Sequence, residues 1–539
     1  MLPSSGFCAS IAHAHFTVPL PVSLPHAGPA REPEWPRPRT AVLAHAQAPR
    51  QRLRHAGAAS VDAAAPAAPT PFSELPEPTG KWSLLPWAET AEFNRDHLAW
   101  AHKRVQKHGP VFMSNLYGTK TVVVADFEGW EKVLGGDHKI SEWATAPSLE
   151  ALMGPSQIAP AKDKTAHKKQ RRQQGAAFTP EAMDSYLPRV EATCREYLER
   201  WASRDCVDVA EETGKLAFDF SEGLVVGLGL PDGTERELLR TKWADFSSNI
   251  ASYVLDLPGT PFNKARRAKQ FILERISGRV AAKRDAMLAA GSAARRSTLL
   301  EHYMGARLAD GDDLDTHFLS MTVLMLMLAG SDTSKLSHKV LLGVLPELPI
   351  RIIDRMREEQ REVVARHGLA LTRAAVSEMR WADAMAREVL RLRGPAEGLF
   401  RIAKEDFELH GRRIAKGTSI YVSSLYAKAS DPRVSAGDHV HAPTPAHMDM
   451  RDLATAFKPE RWLGGELDKA ALATFGMGAH FCLGYPLYMQ EAVVLLALIA
   501  RGYDVEAASG PTDWGPSAMS AGGSPRAPVL QRYRARQYV

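Results

Sequence analysis

The loop from Phe475 to Gly484 holds a cysteine in a setting that suits a metal-binding thiolate. Cys482 lies among glycines at 476, 478 and 484, which reach backbone conformations closed to other residues and let a flat cofactor approach the main chain. The apolar run from Leu483 onward predicts a buried helix beside the cysteine. A helix N-terminus stabilises a thiolate, so metal ligation is the expected chemistry. The alternative is a buried free cysteine beside a glycine turn.

A second candidate site lies in the apolar segment 316–340, which predicts a buried helix. Ala329 and Gly330 are small enough to let a flat ring lie against the helix backbone. Asp332 and Thr333 place an acid and an alcohol at the same point, which a buried helix has little reason to tolerate without a function. The alternative is a structural hydroxyl that bonds the backbone and bends the helix.

Two charged pairs also have helical spacing. His167 and Arg171 are four residues apart, so both could reach one anionic group from the same helix face. The alternative is a solvated basic face. Glu388 and Arg391 place opposite charges three residues apart, a pattern that is common on helices and weakly specific by itself.

The cysteine loop allows a family to be named. Its pattern Phe-x-x-Gly-x-x-x-Cys-x-Gly resembles the haem-ligand signature of the cytochrome P450 superfamily, the haem-thiolate monooxygenases. The resemblance covers about residues 80–535, with the motifs in family order. It implies a mainly α fold with small β-sheets, in which haem b lies between the oxygen-activating helix and the cysteine loop with its helix. Residues 257–268 resemble the loop between two lid helices in the branch that oxidises sterols, retinoids and plant isoprenoid hormones.

The same resemblance implies roles for the residues. Cys482 would be the axial ligand of the haem iron, and Phe475 and Gly484 would be cofactor-binding residues of its loop. His480 replaces the arginine of most members, and its imidazole could donate a hydrogen bond even when uncharged; the alternative is a satisfied core histidine. The residues that would bind the haem propionates are His167, Arg171, Arg401 and His480.

In the oxygen-activating helix, Ala329 and Gly330 would lie against the haem. Thr333 would steady bound dioxygen, and Asp332 would belong to the proton-delivery route. The structural brace of the haem face would comprise Glu388, Arg391 and Arg461. The residues expected on the pocket side are the apolar Val323, Met325, Leu326, Leu399 and Phe400.

Composition limits the function classes. The 539 residues are 45% hydrophobic and carry a net charge of +5 without a long basic run, so nucleic acid is not an expected partner. Four scattered cysteines exclude a disulfide framework and zinc spacing, which indicates a reducing compartment. Without eighteen consecutive apolar residues, we expect no transmembrane anchor.

The N-terminal segment, residues 1–70, is rich in arginine and poor in acids, and it cannot bury enough apolar area to fold. This composition predicts a transit peptide to the chloroplast, with a mitochondrial or cytosolic location as the alternative; a plain disordered tail is the other reading. Residues 71–539 would then form the haem domain.

Further local patterns predict the elements around the site. Residues 94–107 predict a helix, 111–118 and 121–125 predict two strands around a turn, and 147–154 predict a loop. Residues from about 185 to 320 read as largely helical, with an interruption at 257–268.

The expected reaction is insertion of one oxygen atom of O2 into an apolar, isoprenoid-derived substrate such as a sterol, retinoid or carotenoid fragment. A thiolate ligand favours O–O cleavage. No flavin or iron–sulfur motif follows the haem helix, so a separate protein must donate electrons: ferredoxin in a plastid, otherwise a diflavin reductase. We expect a monomer. The alternatives are a hydroperoxide-rearranging enzyme of the allene oxide synthase type and a non-catalytic haem-binding protein.

Overall fold

The computed structural model describes residues 70–71, 88–154, 157, 163–230, 233–291, 294–431, 444–464, 473–515, 525 and 527–537. All described residues belong to one compact unit. The predicted disordered segment and transit peptide therefore lie outside the described residues, except for Thr70.

Helices account for most of the described chain, which confirms the predicted mainly α fold. The α-helices are α1 Ala88–Arg95, α2 His97–His108, α3 Phe127–Gly135, α4 Pro147–Met153, α5 Lys164–Gly175, α6 Pro180–Ala202, α7 Val209–Val225, α8 Thr234–Ser247, α9 Pro261–Ala290, α10 Leu299–Ala309, α11 Thr316–Val344, α12 Ile350–His367, α13 Arg373–Ser377, α14 Arg380–Leu392, α15 Ser424–Ser430, α16 Leu453–Ala456 and α17 Tyr485–Gly502. No described helix is long and apolar enough to cross a membrane.

The strands are short and form three small sheets. They are β1 Thr70–Pro71, β2 Val111–Leu116, β3 Thr119–Val124, β4 Ser141–Trp143, β5 Val207–Asp208, β6 Leu399–Ala403, β7 Phe407–Leu409, β8 Arg412–Ile414, β9 Ser419–Val422, β10 Tyr503–Ala507 and β11 Leu530–Ala535. The five-stranded sheet has the order β2-β3-β9-β6-β4, and the three-stranded sheets have the orders β1-β8-β7 and β10-β11-β5.

The predicted hairpin is confirmed as β2 and β3. Its two turn residues, Tyr117 and Gly118, both have positive φ, at 54° and 77°, which suits the twist of a two-residue hairpin turn. The pair continues across the sheet, because β3 runs parallel to β9 and β9 pairs antiparallel with β6. In turn β6 pairs with β4, where Trp143 lies opposite Arg401.

Two long helices form the centre of the helical part. Helix α11 packs along α7, and α17 packs against α6, α12 and α14. Nearly every residue from Ala492 to Ala500 in α17 is inaccessible to solvent, which matches its uninterrupted apolar sequence. The predicted helices at 316–340 and after the cysteine are confirmed.

Three local predictions need correction. The segment 147–154 is not a loop, since Pro147 occupies the first turn of α4 and Gly154 ends it. The interruption near 257–268 ends earlier than predicted, because Thr260 caps α9 and Pro261 begins it. The single helix predicted over 94–107 is two helices, since the Asp96 side chain accepts the N–H of Ala99 and starts α2.

Candidate functional site

The cysteine loop is a tight bend that ends at the first turn of α17. The Cys482 N–H donates to the carbonyl of Phe475 at 2.9 Å and closes the bend. Gly476 and Gly478 have φ of 74° and 67°, as the sequence predicts. A Cβ on Gly478 would come within 2.6 Å of the Leu134 carbonyl oxygen at the end of α3. Gly484, with φ −75°, has a conformation open to any residue, so its expected conformational role is wrong.

The Cys482 side chain is accessible, although protein atoms surround it closely. Burial raises the pKa of its thiol, while the backbone N–H of Gly484, the charge of Arg171 and the backbone N–H of Tyr485 act in the opposite direction. Tyr485 is the start of a helix, whose N–H groups favour a negative charge. In the apoprotein this balance favours the thiol, so binding a cation is what would favour the thiolate.

Asp137, a residue that follows α3, joins two of the expected propionate ligands. Its carboxylate accepts from Arg401 Nε at 2.7 Å and Arg401 Nη2 at 3.1 Å. It also lies 2.9 Å from His480 Nδ1. Burial alone would raise the pKa of Asp137, but the hydrogen bonds from His480 and Arg401 lower it below its usual value. The carboxylate is therefore ionised and can only accept hydrogen bonds.

The contact with Asp137 fixes the tautomer of His480. Since an ionised carboxylate cannot donate, the imidazole must donate its Nδ1–H. A neutral His480 then presents a lone pair at Nε2, and only the imidazolium presents an N–H there. The hydrogen bond that an uncharged His480 can donate is thus directed to Asp137 through Nδ1, whereas donation from Nε2 needs the imidazolium. His480 Nε2 is buried and has no hydrogen-bond partner among the described residues.

His167 and Arg171, on one face of α5, both reach the cysteine loop. The His167 ring stacks on His480, with centroids 4.3 Å apart and an interplanar angle of 28°. The Arg171 guanidinium donates to the carbonyl of Phe481, next to the cysteine. His167 is 3% exposed, and its Nε2 also lacks a partner in the described part of the chain. The solvated basic face is thus wrong for these two residues.

On α11, the two small residues have different surroundings. Ala329 is exposed in the middle of a helix whose neighbouring residues are mostly buried. A Cβ on Gly330 would lie 3.3 Å from Ser221 Oγ of α7, so the glycine allows close packing of the two helices. Of this pair, Ala329 offers the more open surface to a ligand.

Asp332 and Thr333 occupy opposite environments. Asp332 is 7% exposed, and burial raises its pKa to about 6 against smaller opposing effects of Lys335 and Ser247. Its Oδ2 has no partner among the described groups. Thr333 is exposed, and its hydroxyl donates to the Ala329 carbonyl at 2.7 Å. This is the backbone contact of the structural alternative, and it leaves the Thr333 oxygen free to accept a hydrogen bond.

The structure brings the three residues of the expected brace together. Glu388 accepts from Arg391 at 2.7 and 2.9 Å and from Arg461 Nε at 3.1 Å. The Lys458 N–H and the Trp462 indole N–H complete its hydrogen bonds at 2.9 and 2.8 Å. Glu388 and Arg391 are fully buried. Burial alone would raise the pKa of Glu388, but Arg391 in particular lowers it, so the buried pair is ionised.

Four of the five expected pocket residues are partly exposed. Met325, Leu326, Leu399 and Phe400 retain accessible surface. Val323 has none and packs in the main core, so its expected place on the pocket side is wrong. A Cβ on Gly476 would lie 3.7 Å from Leu399 Cδ1, which places Leu399 beside the cysteine loop.

These observations fit the haem that the sequence implies. An accessible thiol lies beside helix N–H groups, and two buried imidazole nitrogens, Nε2 of His167 and of His480, have no polar partner in the described part of the chain. Ala329 and Thr333 are exposed on a largely buried helix. Cys482 would hold the iron, and His167, Arg171, Arg401 and His480 are the basic groups near enough to the loop to meet carboxylates.

Sequence reasoning missed Asp137 and His138. Asp137 lies 264 residues before Arg401 and 343 before His480, so no local spacing joins them. His138 Nε2 lies 3.0 Å from His167 Nδ1, again without a motif. The only signal is a pair of polar residues directly after the glycines that end α3.

Comparisons with known proteins show which family the chain matches. The family model described as Cytochrome P450 matches residues 75–434 and 452–521. A protein of Danio rerio named Cytochrome P450 26B1 is 27% identical over 434 residues, which cover 79% of this chain and 80% of the relative. Its counterpart from Xenopus tropicalis is 26% identical over 441 residues, with 79% and 82% covered.

A solved structure has the same fold. This structure, named "Retinoic acid bound cyanobacterial CYP120A1", superposes with a TM-score of 0.69 at 23% identity and covers 86% of this chain and all of that one. Since the family model matches well over half of the chain, the protein belongs to the cytochrome P450 family and is an oxidoreductase of the haem-thiolate monooxygenase type.

Proposed function

We propose that this monooxygenase inserts oxygen into an isoprenoid-derived substrate of the retinoid type, a long apolar polyene chain with one polar end. The observation that carries the proposal is the partly accessible apolar surface of Met325 and Leu326 on the helix that also exposes Ala329 and Thr333, together with Leu399 beside the cysteine loop. The cyanobacterial protein of the same fold has retinoic acid bound, which supports this substrate class. Sterols and carotenoid fragments are also apolar, isoprenoid-derived molecules, so they belong to the same substrate class.

The apolar surface would bind the substrate by removing hydrocarbon from water, at about 25 cal/mol per Å² buried. A polyene of this kind has several hundred Å² of apolar surface, so desolvation alone would give useful affinity. None of the four partly exposed residues carries a charge or a hydrogen-bond donor in its side chain. They therefore orient the chain by shape and leave its polar end to other residues.

The cofactor would be haem b, bound through Cys482, and it supplies the activation of dioxygen and the oxidation of carbon when bound. The residues of this chain prepare the site. Because burial raises its pKa to about 6, the carboxyl group of Asp332 can hold a proton at a pH closer to neutral than an ordinary aspartate can. Thr333, whose hydroxyl already donates to the Ala329 carbonyl, keeps an oxygen that can accept a hydrogen bond on the exposed face of α11.

The two electrons would come from a separate protein. We propose ferredoxin if the N-terminal segment directs the chain to the chloroplast, and a diflavin reductase otherwise. The arginine-rich composition of residues 1–70 supports the first case. A reporter fused to residues 1–70 tests it: import into plastids supports ferredoxin, and a cytosolic signal contradicts this location.

The substrate is tested by titrating the ferric protein with all-trans retinoic acid, an apocarotenal, a sterol and a fatty acid. Displacement of water from the iron shifts the Soret band, and product analysis with a reductase system follows. We expect the retinoid or apocarotenal to give the tightest binding and a hydroxylated product. Turnover of the fatty acid alone would contradict the isoprenoid proposal and leave the monooxygenase class intact.

Leu326→Asp provides a direct test of the pocket. It places a charge on the apolar surface and should weaken retinoid binding by about tenfold or more, because a buried charge needs a partner. The matched control is Leu463→Asp, at an exposed leucine elsewhere on the surface, which should leave binding unchanged. Equal effects of the two substitutions would place the substrate elsewhere.

Oxygen consumption linked to reductant separates the remaining alternatives. A monooxygenase consumes dioxygen and reductant when it turns over its substrate, whereas a hydroperoxide-rearranging enzyme requires neither dioxygen nor reductant. A non-catalytic haem protein consumes none above background.

A further inference from the structure

Three histidines from separate parts of the chain form one cluster beside the cysteine loop. His138 follows α3, His167 lies in α5, and His480 lies in the loop itself. One ring nitrogen of each lies within 4.8 Å of the others. His167 and His480 belong to motifs that the sequence already singles out, but His138 does not. Its contact is specific: His138 Nε2 lies 3.0 Å from His167 Nδ1.

The proton between these two nitrogens decides what His167 can do. Burial, together with His480, His138 and Arg171, lowers the pKa of His167 to about 4, so the ring is neutral near pH 7. A neutral imidazole has a single N–H. If His138 donates to Nδ1, that N–H is at the buried, unpartnered Nε2 of His167, which can then donate to an anion. If His167 donates instead, its Nε2 is a lone pair that repels an anion.

His480, the neighbouring ring, increases the importance of which histidine donates in the bond between His138 and His167. His480 donates its Nδ1–H to Asp137, so an N–H at its buried Nε2 would require a second proton on that ring. His167 is thus the histidine of the cluster that can offer an N–H at a buried nitrogen without being protonated. An anion that contacts Nε2 of His167 is therefore bound best in the arrangement in which His138 donates.

The backbone at His138 gives an independent sign that its side chain matters. His138 has φ 68°, in the left-handed region that costs a non-glycine residue free energy. Its N–H donates to the Ser141 carbonyl at 2.8 Å, which ties the conformation to the strand that follows. Gly135 and Gly136 lie just before this position, and yet the residue in the strained conformation is a histidine. The strain is explained if the imidazole is needed.

We propose that His138 is a positioning residue for the cofactor: its Nε2–H donates to His167 Nδ1 and so makes His167 present an N–H to a carboxylate at the edge of the haem. The inference rests on the proposed haem and deepens it. His138 acts through His167 and does not itself touch the ligand.

Haem loss from the loaded full-length protein to an excess of apo-globin tests this role without measuring activity. Losing the donor at His138 lets His167 adopt the other tautomer, so His138→Gly should release haem about tenfold faster than wild type. Glycine also relieves the left-handed backbone, so the acceleration cannot come from added strain. His138→Gln, whose amide N–H lies near the position of Nε2, should stay within about threefold of wild type.

The matched control is His410→Gly. His410 is another histidine with positive φ, 49°, and it lies in the turn between β7 and β8, where it pairs with Asp126 at 2.8 Å. Its replacement should not change the rate of haem loss. Equal acceleration by His410→Gly and His138→Gly would assign the effect to general loosening and overturn the proposal.

A double-mutant cycle shows whether His138 acts through His167. His167→Ala should accelerate haem loss, and the double variant His138→Gly/His167→Ala should lose haem no faster than His167→Ala alone. Multiplying effects in the double variant, or a wild-type rate for His138→Gly, would overturn the proposal while leaving the haem assignment intact. A wild-type protein that never binds haem would contradict both.

Discussion

The Asp137 carboxylate accepts the Nδ1–H of His480 at 2.9 Å and therefore sets which nitrogen of that ring carries its proton. The same carboxylate binds Arg401 through two nitrogens. Asp137 thus orients the side chains of Arg401 on β6 and His480 in the cysteine loop. It holds two basic residues of the site in place before any ligand arrives.

Asp137→Asn should destabilise the fold by about 3–5 kcal/mol, because it leaves the buried Arg401 guanidinium without its counter-charge. Urea denaturation at pH 7 measures the loss. Asp449→Asn, which weakens the pair with the solvent-exposed Arg451, should cost less than about 1 kcal/mol. Because the folded-state pKa of Asp137 is lowered, its contribution is present above about pH 4 and disappears in strong acid, where wild type and variant should converge.

Cys482→Ala should lose the red-shifted Soret band that a thiolate ligand gives under carbon monoxide. Cys206 is also exposed but lies far along the chain from the loop, so Cys206→Ala should keep the band. The measurement is the difference spectrum of the reduced protein. An unchanged spectrum for Cys482→Ala, or an imidazole-type band in wild type, would rule out Cys482 as the ligand.

Thr333→Ala should lower product per reductant by about tenfold, a modest loss for a group that helps deliver protons. More hydrogen peroxide should appear in its place. Thr333→Ser keeps the hydroxyl and its acceptor, so its coupling should stay close to wild type. If alanine leaves the coupling unchanged, the hydroxyl serves only the 2.7 Å bond to Ala329.

Asp332→Asn should change how stability depends on pH. The folded-state pKa of about 6 lies above the ordinary value of 3.8, so folding favours the protonated acid. Wild type should therefore lose about 2 kcal/mol relative to the variant as the pH rises from 4.5 to 7. Urea denaturation of both proteins at pH 4.5 and 7 checks this, and a constant difference would show that Asp332 is not buried as described.

Glu388→Ala should abolish stable haem loading, since Arg391 would remain fully buried without a carboxylate, at a cost of about 3–5 kcal/mol. A suitable comparison is Glu358→Ala, which breaks an exposed Arg355 pair of the same three-residue spacing. That change should cost less than about 1 kcal/mol. Recovery of a fully loaded Glu388→Ala protein would contradict the brace.

The sequence predicted those elements whose conformation depends on neighbouring residues in the chain. The α17 helix, the turn at Tyr117 and Gly118, and the bend at Gly476 and Gly478 follow from apolar runs and glycine conformations. The loop expected at 147–154 is a helix instead, and its Pro147 fits the first turn, where the missing N–H costs nothing.

The site was predicted only as far as motifs reach. Cys482, Thr333 and the Glu388 brace lie in recognisable patterns, but Asp137 and His138 act through contacts between distant segments. The tautomer of His480 could not be read from the sequence either, because it depends on an acid 343 positions away. Val323, expected on the pocket side from the resemblance, is fully buried in the main core, because the neighbours of an apolar helix decide which of its faces is covered.

The absence of a side chain at Gly478 has a mechanical consequence. The glycine lies so close to the Leu134 carbonyl that even a methyl group would push against the end of α3, three residues before Asp137. The loop that carries the cysteine and the segment that carries the acid therefore share one rigid point of contact. The close contact between Gly478 and Leu134 therefore limits how far the two segments can approach each other. The distance between Cys482 and Asp137 is fixed by this contact as well as by hydrogen bonds.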